Sequence, residues 1–117
     1  MRQSADDESK ESVLIAQAKF FPGQIVEHNL YQYRGVIFEV DARFSLSDEW
    51  YEQVARSRPP KDKPWYHVLV DKAQHTTYVA ERHLHLSAQL EAIEHPQIND
   101  YFTTMTNGLY IPKHLHM

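Results

Sequence analysis

The sequence contains no cysteine, and this absence excludes disulfide bonds, thiolate metal sites and cysteine nucleophiles. Glycine is also scarce: Gly23, Gly35 and Gly108 are dispersed along the chain, so no glycine-rich phosphate loop can form. Neither a GxSxG nor an HExxH motif occurs, and no pair of acidic residues is singled out for acid/base chemistry. The sequence therefore indicates a protein that is not an enzyme and needs no cofactor.

Long hydrophobic runs are missing as well. The apolar stretches extend over only a few residues, whereas a membrane-spanning helix needs about 20. The N-terminus carries Asp6, Asp7, Glu8 and Glu11 where a secretory signal would have basic and then apolar residues. We therefore expect a cytoplasmic protein without a membrane partner.

Positive charge is in the minority. Lys and Arg total 12 against 16 Asp and Glu, which gives a formal net charge of -4. A protein with this charge does not attract DNA through its overall field, so any contact with DNA has to use a local basic patch. The length of 117 residues allows one domain with a modest core.

Two stretches rich in aromatic and β-branched residues predict the central hairpin of the fold. Residues 64–71 (PWYHVLVD) and 76–81 (TTYVAE) have no internal glycine or proline, and a short polar loop separates them. Side chains alternate between the two faces of a strand. We therefore expect Tyr66, Val68 and Val70 to face the core, and Trp65 and His67 to face a binding surface.

Two further strands are predicted before this hairpin, over residues 24–28 and 33–41. In the second strand Val36, Phe38 and Val40 are expected to share one face. Gly35 indicates either a β-bulge or the close approach of another backbone. Residues 82–87 either extend the second arm of the hairpin or form another short strand.

Helices are predicted in two places. Ser47 is a suitable N-cap for a helix over residues 48–57, on which Trp50 and Val54 would pack together against the sheet. Residues 88–94 have helical composition, and Pro96 is suited to the first turn of a C-terminal helix. That helix would bury three apolar residues at i, i+4 and i+7 and end at an Asn-Gly pair, before an edge strand over residues 109–112. Its apolar residues are Ile98, Phe102 and Met105.

These elements predict a mainly β fold, a small SH3-like, partly open antiparallel β-barrel with a short helical insertion and a C-terminal helix. Residues 1–18 are expected to form a disordered leader and residues 113–117 a loose tail. Residues 19–112 then form the barrel domain with its C-terminal extension.

Four sequence blocks occur in a fixed order: residues 21–28 (FPGQIVEH), 33–41 (YRGVIFEVD), 64–70 (PWYHVLV) and 78–81 (YVAE) with Leu84. Together these blocks resemble the YccV-like domain family, also called the heat shock protein HspQ family. The resemblance implies an SH3-like β-barrel without enzymatic activity. It also implies binding of hemimethylated DNA and a heat-stress role in protein quality control, as a partner or specificity factor for an ATP-dependent protease.

The best local evidence for DNA binding is a basic stretch that leads into Trp65. It holds four cations and one acid, Asp62, and clustered cations beside exposed aromatic rings suit phosphates and unpaired bases. Alternatively, the stretch is a solvated loop, and Trp65 and Tyr66 pack in the core or against Trp50. The candidate DNA-binding residues are Arg34, Arg56, Arg58, Lys61, Lys63, Trp65 and His67.

The eight histidines offer a weaker alternative, a metal site. His83 and His85 would point to the same face of an extended strand, and His114 and His116 repeat this spacing. No third ligand is evident, so we expect hydrogen-bonded or exposed histidines and no bound metal.

Three functions remain open. Binding of double-stranded DNA, including hemimethylated DNA, is the first, and an adaptor for an ATP-dependent protease or its protein clients is the second. The net charge favours the adaptor over the DNA binder. A metal-dependent enzyme using His83 and His85 is the third. Barrel edges can also pair between chains, which would give a homo-oligomer.

Overall fold

The computed structural model describes residues 17–113. The predicted leader up to residue 16 and the predicted tail after residue 113 lie outside the described residues. Ala18, at the end of the predicted leader, packs against a buried cluster and therefore belongs to the folded part. No helix in the described part of the chain is long and apolar enough to cross a membrane.

The described chain forms a mainly β structure with two antiparallel sheets. The larger sheet has the strand order β4-β3-β2-β1-β5, and the smaller one pairs β6 with β7. The strands are β1 (Ile25–His28), β2 (Arg34–Asp41), β3 (Trp65–Val70), β4 (Thr76–Ala80), β5 (Leu84–Leu86), β6 (Phe102–Thr106) and β7 (Leu109–Pro112). The helices are α1 (Asp48–Val54), a 3₁₀ turn (Glu81–His83) and α2 (Ile98–Tyr101).

The predicted central hairpin is confirmed: β3 and β4 pair antiparallel, from Trp65 opposite Ala80 to Leu69 opposite Thr76. Tyr66, Val68 and Val70 are buried as predicted. The question left open for residues 82–87 is also answered, because β5 is a separate strand that pairs with β1 after the 3₁₀ turn.

The larger sheet is buried on both faces. Tyr66 and Val68 belong to one cluster, whereas their neighbour Leu69 belongs to a second, which also contains Ile93 and Phe102 from the C-terminal region. The first cluster is completed by Phe20, Val26, Ile37, Val79 and Leu84, and the second by Ile25, Val36 and Tyr110.

A bulge in β2 corrects the predicted faces of that strand. The pairing with β3 shifts between Ile37 and Glu39. Val40 therefore packs with the cluster of Ile37, although it was predicted to share the face of Val36 and Phe38. The extra residue at the bulge reverses the alternation after it. Gly35 marks a close approach of another backbone, which was one of its two predicted meanings.

Helix α1 confirms its predicted start, since the Ser47 side chain accepts a hydrogen bond from the Trp50 N–H. The helix ends at Val54, earlier than predicted. Tyr51 is the buried residue of the helix, and Ala55, directly after its end, is buried as well. Val54 is 55% exposed, so the predicted packing of Val54 against the sheet is wrong.

The predicted long C-terminal helix is wrong. Only α2 is helical, and residues 102–106 form β6, which folds back onto β7 through Asn107 and Gly108. Both turn residues have positive φ, 53° and 77°, as a two-residue type I′ turn requires. The predicted strand over residues 109–112 is confirmed, and residues 88–94 are irregular, contrary to their helical composition.

Candidate binding groove

An aromatic cluster lies between α1 and the central hairpin. Trp65 stacks on Tyr78 with ring centroids 5.2 Å apart, and Phe44 meets Trp65 edge-on at 5.0 Å. Trp50 contacts Trp65 and Tyr78 at 6.2 and 5.7 Å. Aromatic pairs at these separations add to the stability gained from burial alone. The cluster therefore fixes the position of α1 against β3 and β4.

A groove of about 690 Å³ opens beside this cluster. We call it the β4 groove, because β4 (Thr76–Ala80), an edge strand of the larger sheet, lines one side along its whole length. The other side is formed by residues 54–57 and Pro59, and one end is formed by His28, Leu30, Tyr31 and Tyr33. Its margin is unusually apolar for a surface: Leu30 is 60%, Tyr31 76% and Val54 55% exposed.

The cations of the predicted basic patch differ in their surroundings. Arg58 pairs with Glu52 at 2.7 Å, and Lys61 pairs with Asp48 at 3.1 Å and lies 4.3 Å from the centre of the Tyr51 ring. Within residues 17–113, no acidic side chain pairs with Arg56 or Lys63. Arg56 lines the β4 groove, and Lys63 lies two residues before Trp65.

Acidic residues of helix α1 cancel the net positive charge that residues 56–63 carry by themselves. Residues 48–63 hold four acidic side chains, Asp48, Glu49, Glu52 and Asp62, against the four cations, so the net charge of this region is zero. Surface ion pairs of this kind contribute little to stability, but they lower the positive potential that phosphates would meet.

The predicted exposure of Trp65 is wrong. Only 1% of Trp65 is exposed, and its indole N–H donates to the Pro60 carbonyl at 3.0 Å. The ring is enclosed because α1 and Phe44 cover this face of the hairpin. Trp65 therefore supports the groove from below, and the alternative prediction, packing in the core and against Trp50, is confirmed.

Arg34 also lies elsewhere than predicted. Its guanidinium pairs with Asp71 at 3.0 Å, and both side chains are largely buried. A second nitrogen donates to the Glu91 carbonyl, and the Asp71 carboxylate accepts from the Glu94 N–H at 2.7 Å. This network ties the C-terminal region to the larger sheet, and it leaves the Arg34 side chain little exposed to DNA.

His67 is partly exposed, and it faces the side of the sheet that was predicted. Its Nε2 is 3.0 Å from Asp41 Oδ2, and its ring is 4.5 Å from that of Tyr78. Burial, and the hydrogen bond donated to Asp41, raise the pKa of Tyr78. His67 does not line the β4 groove.

Two histidines lie at the end of the groove. The His28 ring stacks with those of Tyr31 and Tyr33 at 4.7 and 5.2 Å, and with that of His83 at 5.7 Å. His28 Nδ1 accepts hydrogen bonds from the Leu30 and Tyr31 N–H groups, both at 3.1 Å. Burial, and then the nearby His83, lower the pKa of His28; burial and Arg82 lower that of His83.

The geometry assumed for a His83–His85 metal site is wrong, because His83 lies in the 3₁₀ turn and not on a strand. His83 Nε2 contacts Ser57 Oγ at 2.9 Å, whereas His85 contacts Asn29 and Glu27. Neither belongs to a group of three or more clustered ligands within the described residues. The His114–His116 pair lies outside those residues.

Sequence reasoning missed most of the groove, namely Leu30, Tyr31, Tyr33 and β4. Residues 29–32 lie between the strands predicted over residues 24–28 and 33–41. The sequence signal for this part of the groove was an apolar pair, Leu30-Tyr31, in a turn where polar residues are the norm. Exposed apolar groups in a loop often mark a binding site.

The chain matches the model of a known protein family. The family described as "Hemimethylated DNA-binding protein YccV like" matches residues 18–109, which include both sheets up to the first residue of β7 and every side chain that lines the β4 groove.

Proposed function

This chain belongs to the YccV-like family of hemimethylated DNA-binding proteins, and we propose that it binds double-stranded DNA with a preference for hemimethylated duplexes. The observation that carries the proposal is the β4 groove, an apolar, aromatic-lined cleft. Its wall includes Arg56, which pairs with no acidic side chain among residues 17–113. A methyl group on a base offers only apolar contact, and an apolar cleft can recognise it. Arg56 and Lys63 contact phosphates, and Tyr31 and Trp50 contact the bases.

The charge distribution determines how this binding depends on salt. Each cation that neutralises a phosphate releases counterions, so affinity falls as salt rises. Two of the four cations in residues 56–63 are held in ion pairs, Arg58 by Glu52 and Lys61 by Asp48, so few phosphates are contacted. Specificity then depends on the groove more than on the positive field.

The test compares unmethylated, hemimethylated and fully methylated duplexes of one sequence by fluorescence anisotropy at several salt concentrations. The hemimethylated duplex is expected to bind most tightly. The double variant Arg56→Gln/Lys63→Gln is expected to weaken binding and to reduce the slope of log K against log salt by about 2. Lys113→Gln, outside the groove, is the matched control and should leave both unchanged. Equal affinity for all three duplexes at low salt would contradict the proposal.

The exposed apolar margin of the groove favours a second function, a protein-interaction adaptor or specificity factor for an ATP-dependent protease in heat stress. Edge strands can accept an extended peptide as an additional strand, and β4 lies along the groove. Leu30, Tyr31 and Val54 would then contact the side chains of the peptide. No catalytic step is required of this chain.

The two functions are separated by two sets of variants. Adaptor activity is measured as the rate at which a purified protease degrades a client with and without this chain. Leu30→Ser/Tyr31→Ser is expected to abolish the stimulation, and Arg56→Gln/Lys63→Gln should leave it intact. A chain that never changes the degradation rate would exclude the adaptor function for that protease.

We also propose that the larger sheet is an SH3-like, partly open barrel. The strand order, with β5 paired to β1, and the one-turn 3₁₀ helix between β4 and β5 support this description. The strong bend that a barrel needs is supported by the bulge in β2. An experimental structure would test it through the curvature of β2.

A further inference from the structure

Three potential metal ligands converge on one face of the larger sheet, outside the β4 groove. They are Glu39 and Asp41 of β2 and His67 of β3, and one ligand atom from each lies within 4.8 Å of the other two. Among the described residues this is the one group of three or more such ligands. Neither the DNA-binding proposal nor the adaptor proposal requires this cluster.

The backbone explains why these three side chains meet. Glu39 and Asp41 are two residues apart on β2 and therefore point to the same face. Glu39 lies opposite His67 in the pairing of β2 with β3. The bulge between Ile37 and Glu39 sets this register, since without it Phe38 would lie opposite His67.

The surroundings hold two of the ligands in place. Asp41 Oδ2 accepts a hydrogen bond from the Tyr78 hydroxyl at 2.7 Å, and the Ser45 N–H in turn donates to that hydroxyl at 3.0 Å. The His67 ring contacts the rings of Tyr78 and Phe38, at 4.5 and 5.7 Å. Partners that orient a ligand in this way are typical of metal sites and raise their affinity.

The exposure of the cluster suits an ion that enters from solvent. The Asp41 and His67 side chains are 16% and 23% exposed, and Glu39 is exposed. The contact between His67 Nε2 and Asp41 Oδ2 at 3.0 Å joins the two partly buried ligands. The exposed Glu39 carboxylate has room to rotate toward them.

We propose that Glu39, Asp41 and His67 bind a divalent transition-metal ion, with Zn²⁺ as the probe that tests it. One imidazole nitrogen and two carboxylate oxygens are ligands that Zn²⁺ accepts, at about 2.0–2.2 Å, and three protein ligands leave a coordination position for water. Ligand atoms around tetrahedral Zn²⁺ are about 3.4 Å apart, as these bond lengths require. Asp41 and His67 meet that spacing with little movement, and Glu39 completes the site by rotation.

Isothermal titration of the full chain with Zn²⁺, after treatment with a chelator, tests the proposal. Saturable binding is expected at this site, and Co²⁺ should give visible absorption bands of a site with nitrogen and oxygen ligands. Glu39→Gln and His67→Asn should each weaken Zn²⁺ binding about tenfold or more. Tyr78→Phe, which removes the hydrogen bond to Asp41, should weaken it about 10–100-fold.

Two controls keep the result specific to this cluster. His75→Asn removes an exposed histidine outside the cluster, and His83→Asn/His85→Asn removes the pair that the sequence suggested. Both should retain full Zn²⁺ affinity. The proposal is overturned if no saturable binding occurs, or if binding is unchanged in Glu39→Gln and His67→Asn.

Discussion

Gly35 lies where the backbones of β2 and β3 approach each other. A Cβ atom at this position would be 2.4 Å from Val68 Cγ1 and 2.6 Å from the Leu69 carbonyl oxygen. The carbonyl belongs to the backbone of a buried strand and cannot move aside without disturbing the sheet. We expect Gly35→Ala to lower the free energy of unfolding by about 2–3 kcal/mol, as overpacking of a core does.

Urea unfolding followed by circular dichroism measures this change. Thr76→Ala, on the exposed part of the edge strand β4, is the control and should change stability by less than about 0.5 kcal/mol. A Gly35→Ala protein as stable as the parent would mean that the backbones of β2 and β3 do not approach each other this closely.

His28 makes the stability of the Leu30–Tyr31 turn depend on pH. Its Nδ1 must be unprotonated to accept the two backbone N–H groups, and burial lowers its pKa below 6.5. The unfolded chain therefore binds the proton more readily than the folded chain. The stability that these two hydrogen bonds contribute is complete above about pH 6.5, and it is lost as the pH falls through the lowered pKa of His28.

Unfolding free energies measured from pH 7.5 to 5.0 should show this loss, and His28→Asn should reduce it. Asn Oδ1 can accept from the same N–H groups but does not titrate in this range. The difference between the two proteins isolates His28 from the other histidines. Parallel curves for parent and variant would contradict the assignment.

Among the elements, the β6–β7 hairpin depends most visibly on its turn. Gly108 has φ 77°, and an added Cβ atom would meet the Leu90 side chain at 2.7 Å. A non-glycine residue in the left-handed region costs about 1–2 kcal/mol. We expect Gly108→Ala to destabilise the chain by at least this amount, as measured by thermal unfolding.

Asn107→Asp is the matched control for the turn. Asp-Gly is as well suited to a type I′ turn as Asn-Gly, so this variant should remain within about 0.5 kcal/mol of the parent. Equal losses in the two variants would indicate that the turn conformation is not the cause.

The β6–β7 hairpin also shows why part of the fold could be predicted from the sequence and part could not. Strands β1 to β4 were predictable, because β-branched and aromatic residues alternate there between clear turn signals. In residues 98–105 the apolar spacing fitted a helix, yet Thr103, Thr104 and Thr106 favour a strand and Asn-Gly favours a hairpin. Apolar spacing over only two helical turns was therefore a weaker signal than the threonines and the Asn-Gly pair.

The candidate site was less predictable, since it depends on contacts between distant segments. The cations Arg56 and Lys63 were found as a charge cluster, but the acids of α1 that neutralise their neighbours lie up to 15 residues away from them, at Asp48. The enclosure of Trp65 likewise depends on Phe44 and α1. The bulge that places Glu39 opposite His67 has no sequence signal that we recognise.

Across the whole chain, the two faces of the larger sheet depend on different segments. One face is covered by the region around Phe20, and the other by the C-terminal region after β5. The C-terminal region is held by the Arg34 network and by the Tyr110 hydroxyl, which accepts from the buried Ile93 N–H at 2.8 Å. This arrangement supports the prediction that residues 19–112 fold as one unit.

Truncation after Ser87 tests that prediction. The shortened chain would expose Ile25, Val36 and Leu69, which are almost fully buried in the parent. Loss of this burial removes roughly 1.5–3 kcal/mol for each side chain, a large part of the stability of a small domain. We expect the shortened chain to lack a cooperative unfolding transition in calorimetry.

A milder variant distinguishes one unit from two. Tyr110→Phe keeps the ring but leaves the Ile93 N–H without its partner, which costs about 1–3 kcal/mol. If the chain is one unit, the single unfolding transition shifts as a whole, whether it is followed by the fluorescence of Trp50 and Trp65 or by amide exchange in β6. If the two probes separate in the variant, the C-terminal region is an independent unit and the predicted domain boundary is wrong.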